Sequence, residues 1–239
     1  MTTHLHMATR RCTATRLVGL GALLSLLVLD ARAAGTGGLG SAGLFADAGA
    51  TSTGAPAPVV SHNFAGTGAL SGVWPDVGPG PWTVRSGTFT RTGGAVTNGG
   101  GTNRWATLPT GSTVQRVRVG ISFPATHTIG VVAKASPSAT TYLRALKNDL
   151  FGGRLLLQRV VSGTATTLAS LVGVGNASPG VLTLVVAGAS VSVHWGGFTL
   201  THTLSVADQA TFGPLTHAGL FVTGTPAGSF LAPFRVWSS

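Results

Sequence analysis

Carboxylates are the side chains that most hydrolytic chemistry must position, and this chain offers five: Asp30, Asp47, Asp76, Asp149 and Asp208, with no glutamate anywhere. No two lie close in sequence, so a paired-carboxylate mechanism would have to be assembled from distant loops. The sole cysteine, Cys12, sits in a low-complexity leader with no base nearby and is not a plausible nucleophile. No Gly-x-Ser-x-Gly elbow and no phosphate-cradling glycine loop occurs. Of the seven histidines, His194 and His202 could face each other across a turn at 195–198, which would give two metal ligands at most. Zinc needs three or four. The residues therefore imply no catalytic group, no metal and no cofactor, and lean toward binding.

Aromatic rings are the other chemistry present. Pyranose faces stack on Trp and Tyr, which combine a large apolar area with a polar edge. Trp74, Trp105 and Trp195 lie beside Gly or Pro turns or at strand ends, where each could be either an exposed platform or an ordinary half-buried ring. Tyr142 and Arg144 share one face of a strand and could hydrogen-bond a sugar or an acidic group. The alternative for that pair is a solvated sheet face. With His194 beside Trp195, these six residues are the carbohydrate-binding candidates.

The elements that must position them read as strands. Val117, Val119, Ile121 and Phe123 alternate with Arg116, Arg118, Gly120 and Ser122; Val191, Val193 and Trp195 alternate with Ser192 and His194. Leu182, Leu184 and Val186 form one face of another run. These are period-two patterns, and no sustained helical period appears. The expected strands are 59–65, 87–91, 103–108, 114–123, 128–134, 140–147, 153–161, 165–171, 181–187, 190–195, 198–205, 217–222 and 229–237. Gly152-Gly153, Ser162-Gly163, Gly188-Ala189 and Gly196-Gly197 mark turns between neighbours. About a dozen strands joined by hairpins predict an all-β fold of two packed antiparallel sheets.

Composition agrees. Charged residues make up 8% of the 239, against about a quarter in an ordinary soluble domain, and there are 36 glycines. The polar surface must come from Thr, Ser, Gly and Asn. The formal charge of +10 invites a nucleic-acid reading, but the arginines are spread along the chain. Arg116 and Arg118 alternate onto one strand face, which reads as a solvated surface. No nucleic-acid partner is expected, while basicity favours contact with anionic surfaces such as teichoic acids, membranes or polysaccharides.

The first 58 residues form a separate Ala/Gly/Thr-rich arm, and Gly49–Pro58 reads as a linker. Arg10, Arg11 and Arg16 precede the apolar run Leu17–Leu29, followed by Ala31-Arg32-Ala33, as in a secretory signal cleaved after Ala33. The run has thirteen residues, short of the roughly 20 that span a bilayer, so no integral membrane helix is expected. The other reading is a repeat. Leu17-Val-Gly-Leu-Gly21-Ala-Leu23 and Leu39-Gly-Ser-Ala-Gly43-Leu44 are offset by 22 residues. Such phrases resemble the short repeats in tail proteins of phages that infect actinobacteria.

From residue 59 onward there is a second resemblance. His62-Asn-Phe64-Ala-Gly66, Pro75-Asp76-Val-Gly78, Trp82-Thr83 and Ser86-Gly87-Thr88-Phe89 resemble the opening of concanavalin A-like lectin/glucanase domains, the laminin-G-like jelly rolls. Gly153-Arg-Leu155-Leu-Leu157-Gln-Arg-Val160-Val161-Ser-Gly163 and Val191-Ser-Val193-His194-Trp195-Gly196-Gly197-Phe198 resemble inner strand pairs. Ala218-Gly219-Leu220 with Phe234-Arg-Val236 resembles the closing strands. The resemblance implies a jelly roll over 59–239 with Trp82 and Trp237 in its core. It does not carry over glucanase activity, because the closely spaced Glu, Asp and Glu of those enzymes are missing. Nor does it carry over a calcium site: the usual acidic positions read His62, Trp195-Gly196 and Ala232-Pro233, and hard cations need several oxygen ligands.

The expectation is a non-enzymatic adhesion or structural protein of a phage tail. Its partners would be host-surface or cell-wall glycan and other virion proteins, and the virion reading implies a homo-oligomer. The alternative in context is a secreted or wall-associated bacterial carbohydrate-binding protein. The alternative in chemistry is a glycoside hydrolase, which would need two of Asp76, Asp149 and Asp208 in one cleft.

Overall fold

The computed structural model describes residues 56–99, 102–122, 128–148, 152–176, 178–224 and 228–238. The repeat and signal readings of the arm, the linker through residue 55, Phe123 and Asp149 lie outside these.

Sixteen strands among the described residues build two antiparallel sheets. The nine-stranded sheet contains β1 (Val60–His62), β2 (Thr67–Ala69), β4 (Thr88–Thr92), β5 (Ala95–Gly99), β7 (Gln115–Ser122), β12 (Gly180–Ala187), β13 (Ser190–Trp195), β14 (Phe198–Thr203) and β16 (Ser229–Trp237). Its order is β14-β13-β12-β7-β16-β5-β4-β2, with β1 also on β16. The seven-stranded sheet contains β3 (Thr83–Ser86), β6 (Asn103–Pro109), β8 (Thr128–Ala135), β9 (Tyr142–Asn148), β10 (Arg154–Val161), β11 (Thr164–Val172) and β15 (His217–Thr223). It runs β11-β10-β9-β8-β15-β6-β3. The expected two-sheet all-β jelly roll is what forms.

The alternating runs set which faces meet. Val117, Val119 and Ile121 of β7, Leu182, Leu184 and Val186 of β12, and Val191, Val193 and Trp195 of β13 are all buried. They pack against the inner faces of β8, β9, β10 and β15. Each such side chain contributes about 1.5–3 kcal/mol on burial. Tight turns hold neighbours in register. At Ser162 and Gly163 both φ angles are positive, 49° and 82°, as a two-residue primed hairpin turn requires.

Trp82 is 1% exposed and lies in the core as expected, its Nε1–H donating to Nδ1 of His62 at 2.8 Å. His62 is itself buried, and burial lowers its pKa, so it is a neutral acceptor. His62 thus fastens β1 to the core. Trp237 departs from expectation. It is only half-buried, because Phe234 and Val236 take the inward positions of β16 and leave Trp237 on the outer face, where the Arg116 guanidinium lies 5.2 Å from its ring centre.

A helix absent from the sequence reading, α1 (Val206–Phe212), follows β14. Seven residues are too few to show a helical period. Its cues are local: Ser205 Oγ accepts from the Asp208 N–H at 3.1 Å and donates to Asp208 Oδ2 at 2.8 Å, while Phe212 is fully buried. Arg159 of β10 pairs with Asp208 at 2.5 Å. Desolvation would raise the Asp208 pKa, but the hydrogen bonds from Arg159 and Ser205 and the Arg159 charge outweigh it and hold the carboxyl below its ordinary value.

The β8–β15 ladder shifts register beside Lys134, whose φ is +53°. This bulge takes Lys134 out of the strand alternation and frees its N–H, which donates to Gln115 Oε1 at 2.7 Å. Its ammonium donates to the carbonyls of Thr113 and of Gly213, just past α1. Burial lowers the Lys134 pKa to about 8.

Two outcomes follow from this packing. A Cβ at Gly219 would lie 2.0 Å from the Ala106 carbonyl oxygen, so Gly219→Ala is expected to cost ~3 kcal/mol or more in urea unfolding, whereas Gly197→Ala, in open space, should stay within about 0.5 kcal/mol. The folded-state pKa of Lys134 lies below its unfolded value of 10.5, so between about pH 8 and 10.5 the unfolded chain binds more protons and stability should rise with pH. Unfolding of wild type and Lys134→Met measured from pH 7 to 9.5 checks this: the rise attributable to Lys134 should be missing from the variant.

Candidate functional site on the outer face of the seven-stranded sheet

Strand pairing brings three of the six sequence candidates together. Trp105 on β6 pairs with Phe221 on β15, and Phe221 pairs with Gly130 on β8. Arg144 on β9 pairs with Val132 on β8 and Gln158 on β10, and Tyr142 pairs with Val160. All of these side-chain positions face away from the core shared by the two sheets. They form a second, smaller apolar cluster of Val132, Ala135, Tyr142, Leu146, Val160 and Phe221, with Trp105 and Leu156 against it. The Trp105 and Tyr142 rings lie 4.9 Å apart between centres.

The result is a groove of about 310 Å³, lined by Trp105, Tyr142, Arg144, Val160 and Phe221, with Asn103, Ala139, Thr140, Gly163 and Ala165 around them. That volume falls at the lower end of small-molecule sites, about 300–1,000 Å³. One edge carries the hydroxyl of Thr140, whose Oγ1 lies 3.2 Å from Ser138 Oγ just outside the groove, and the Thr140 carbonyl is fixed by the Gly163 N–H at 2.9 Å. Arg144 is held on three sides: its guanidinium sits 4.3 Å over the Phe221 ring, its Nε–H donates to Gln158 Oε1 at 2.8 Å, and it shares a side-chain hydrogen bond with the Tyr142 hydroxyl. Gln158 in turn donates to Thr167 Oγ1 at 3.0 Å. Burial pushes the Tyr142 hydroxyl above its ordinary pKa, and the adjacent Arg144 offsets part of that rise. Burial likewise pulls Arg144 down, with Tyr142 opposing.

The other three candidates are elsewhere. Trp195 is 2% exposed and belongs to the core: its position in β13 has the inward parity of Val191 and Val193, and its ring packs where a Cβ on Gly180 would fall. It is not a surface platform. His194 lies on the outer face of the nine-stranded sheet, between Ser192 Oγ at 2.9 Å and Thr199 Oγ1 at 3.0 Å. His202 does not face it. The turn pairs His194 with Thr199 and His202 with Val191, which puts the two rings on opposite faces of the sheet. Trp74 stands 61% exposed in the β2–β3 connection and does not line the groove.

Phe221, Val160 and Gln158 were missed from sequence. The available signal was the run Ala218-Gly-Leu-Phe-Val222, apolar at both parities, which marks a strand covered on both faces. Among the described residues no three of His, Cys, Asp or Glu converge. Asp76 accepts from the Asn63 N–H at 2.7 Å and Asp208 is engaged by Arg159, and neither lines the groove. No helix of the described residues is long and apolar enough to cross a membrane.

No family model and no curated protein matches the sequence. Solved structures do match the fold. The carbohydrate-binding module CBM66 from Bacillus subtilis superposes with a TM-score of 0.52 at 11% identity, over 66% of this chain and 95% of that one. A mutant of the GH43 protein BlXynB from Bacillus licheniformis gives 0.52 at 14% identity, over 75% of this chain and 39% of that larger one. SCLam, an endo-β-1,3(4)-glucanase of family GH16, gives 0.50 at 8% identity, over 75% and 90%. At these identities the likeness is one of fold, and the fold of the described chain is the concanavalin A-like jelly roll.

Proposed function

We propose that the sandwich is a carbohydrate-binding module that holds a sugar in the Trp105–Tyr142–Arg144 groove and does no chemistry on it. The observation that carries this reading is the groove itself, in which an aromatic floor, a hydroxyl edge and one oriented guanidinium converge from four strands far apart in sequence. Trp105 supplies the stacking surface, Tyr142 and Thr140 supply hydrogen bonds, and Arg144 fixes orientation. The shared fold with a carbohydrate-binding module supports the reading. Glycoside hydrolases share the fold too, so the choice of binding over hydrolysis rests on the groove. Hydrolysis needs two carboxyl groups roughly 5–9.5 Å apart across the sugar, and among the described residues no carboxylate lines this groove.

The setting we propose is the tail of a phage infecting actinobacteria, where many copies would raise a weak affinity for host-surface glycan. The repeated phrases at Leu17 and Leu39 support it. The apolar run Leu17–Leu29 before Ala31-Arg32-Ala33 favours the alternative, a secreted wall-associated protein.

Two measurements test these statements. On a glycan array the full chain should retain oligosaccharides, Trp105→Ala should lose at least tenfold in affinity, and Trp74→Ala should be unchanged; equal loss in both variants would move the site. Intact mass and N-terminal sequencing of the protein from its natural source should give a start at Met1 or Thr2 in particles. A start at Ala34 would establish export instead.

A further inference from the structure

Most basic side chains described here are closed off by the protein. Lys134 is bound by two carbonyls, Arg159 by Asp208, and Arg91 donates to the carbonyls of Ala65 and Thr67. Arg144 stands over the groove. Its Nε–H is taken by Gln158 and its guanidinium also shares a side-chain hydrogen bond with the Tyr142 hydroxyl, but no carboxylate among the described residues pairs with it. The guanidinium is partly desolvated against Phe221 and the neighbouring rings. Among the described residues no carboxylate lines the groove to balance that charge. The same sheet face carries further positive charge: Arg85 donates to Thr107 Oγ1 at 3.1 Å, and its charge adds to burial in lowering the pKa of His217.

A half-buried cation without a counter-charge is costly, and an anionic ligand that pairs with it offsets the cost. The planar guanidinium fork matches a carboxylate in two parallel hydrogen bonds. We propose that the groove is specific for a carboxylated sugar, a uronic acid or a sugar acid of similar shape. The carboxylate would meet the terminal N–H groups of Arg144 while the ring stacks on Trp105 and its hydroxyls meet the Thr140 hydroxyl. This rests on the groove being the sugar site, and it adds the class of sugar. Phe221 and the Gln158–Thr167 pair position the fork, so the charge presented is oriented rather than diffuse.

The test compares matched ligands on the full chain at physiological salt. Uronic-acid oligosaccharides (galacturonate, glucuronate and alginate trimers) are titrated by calorimetry beside the same oligosaccharides with their carboxyl groups reduced to alcohols. At least one acidic trimer should bind about tenfold or more tighter than its reduced form. Arg144→Gln should abolish that difference yet keep the weaker binding of the reduced form, and near-UV circular dichroism would show that the variant is folded. Arg116→Gln, on the other sheet, should leave the preference intact. This excludes attraction to the +10 chain as a whole. Equal binding of acidic and reduced forms, or a preference that survives Arg144→Gln, overturns the inference while leaving the groove as a sugar site. Binding of neither form, with Trp105→Ala indistinguishable from wild type on the array, overturns both.

Discussion

Fifteen basic side chains share five carboxylates in this protein, so most of its positive charge has to be accommodated without ion pairs. The structure meets that constraint with backbone carbonyls and ring faces. Lys134 is held by Thr113 and Gly213, Lys147 donates to the Asn148 carbonyl, Arg104 to the Gly224 carbonyl and Arg91 to Ala65, while Arg116 and Arg144 lie over Trp237 and Phe221. Carbonyl oxygens at strand ends and bulges are natural partners, because sheet ladders leave them unpaired there. Local irregularities such as the Lys134 bulge therefore coincide with buried cations.

The same constraint shapes the candidate site. A groove built from rings and hydroxyls needs a group that fixes orientation, and in this composition the group available is a cation. Arg144 can stand in an apolar cluster because Phe221 offers its π face and Gln158 an oxygen.

Much of the fold was legible in the sequence. Runs such as Val117–Ile121 and Val191–Trp195 alternate with period two, and burial on one face enforces that period. Strands β2, β3 and β5 were not foreseen, being short pieces of Thr, Gly and polar residues held by pairing rather than by their own pattern. Helix α1 was missed because its capping Ser205 and anchoring Phe212 are too close together to show a period. Trp195 and Trp237 exchanged their expected roles. Strand parity decides inward from outward, and a turn residue beside a ring says nothing about parity.

The sequence by itself determined the composition of the chemistry: few carboxylates, many rings and hydroxyls, excess arginine, and strands enough for two sheets. Those are properties of residue type and of spacing within one strand, where the side-chain period is fixed by the backbone. Only the tertiary structure decided that Trp105, Tyr142, Arg144 and Phe221 meet, while His194 and His202 part. These residues come from β6, β9, β15, β13 and β14, and their meeting depends on strand order and register. Both are set by the packing of the whole core, and no local stretch of sequence records them.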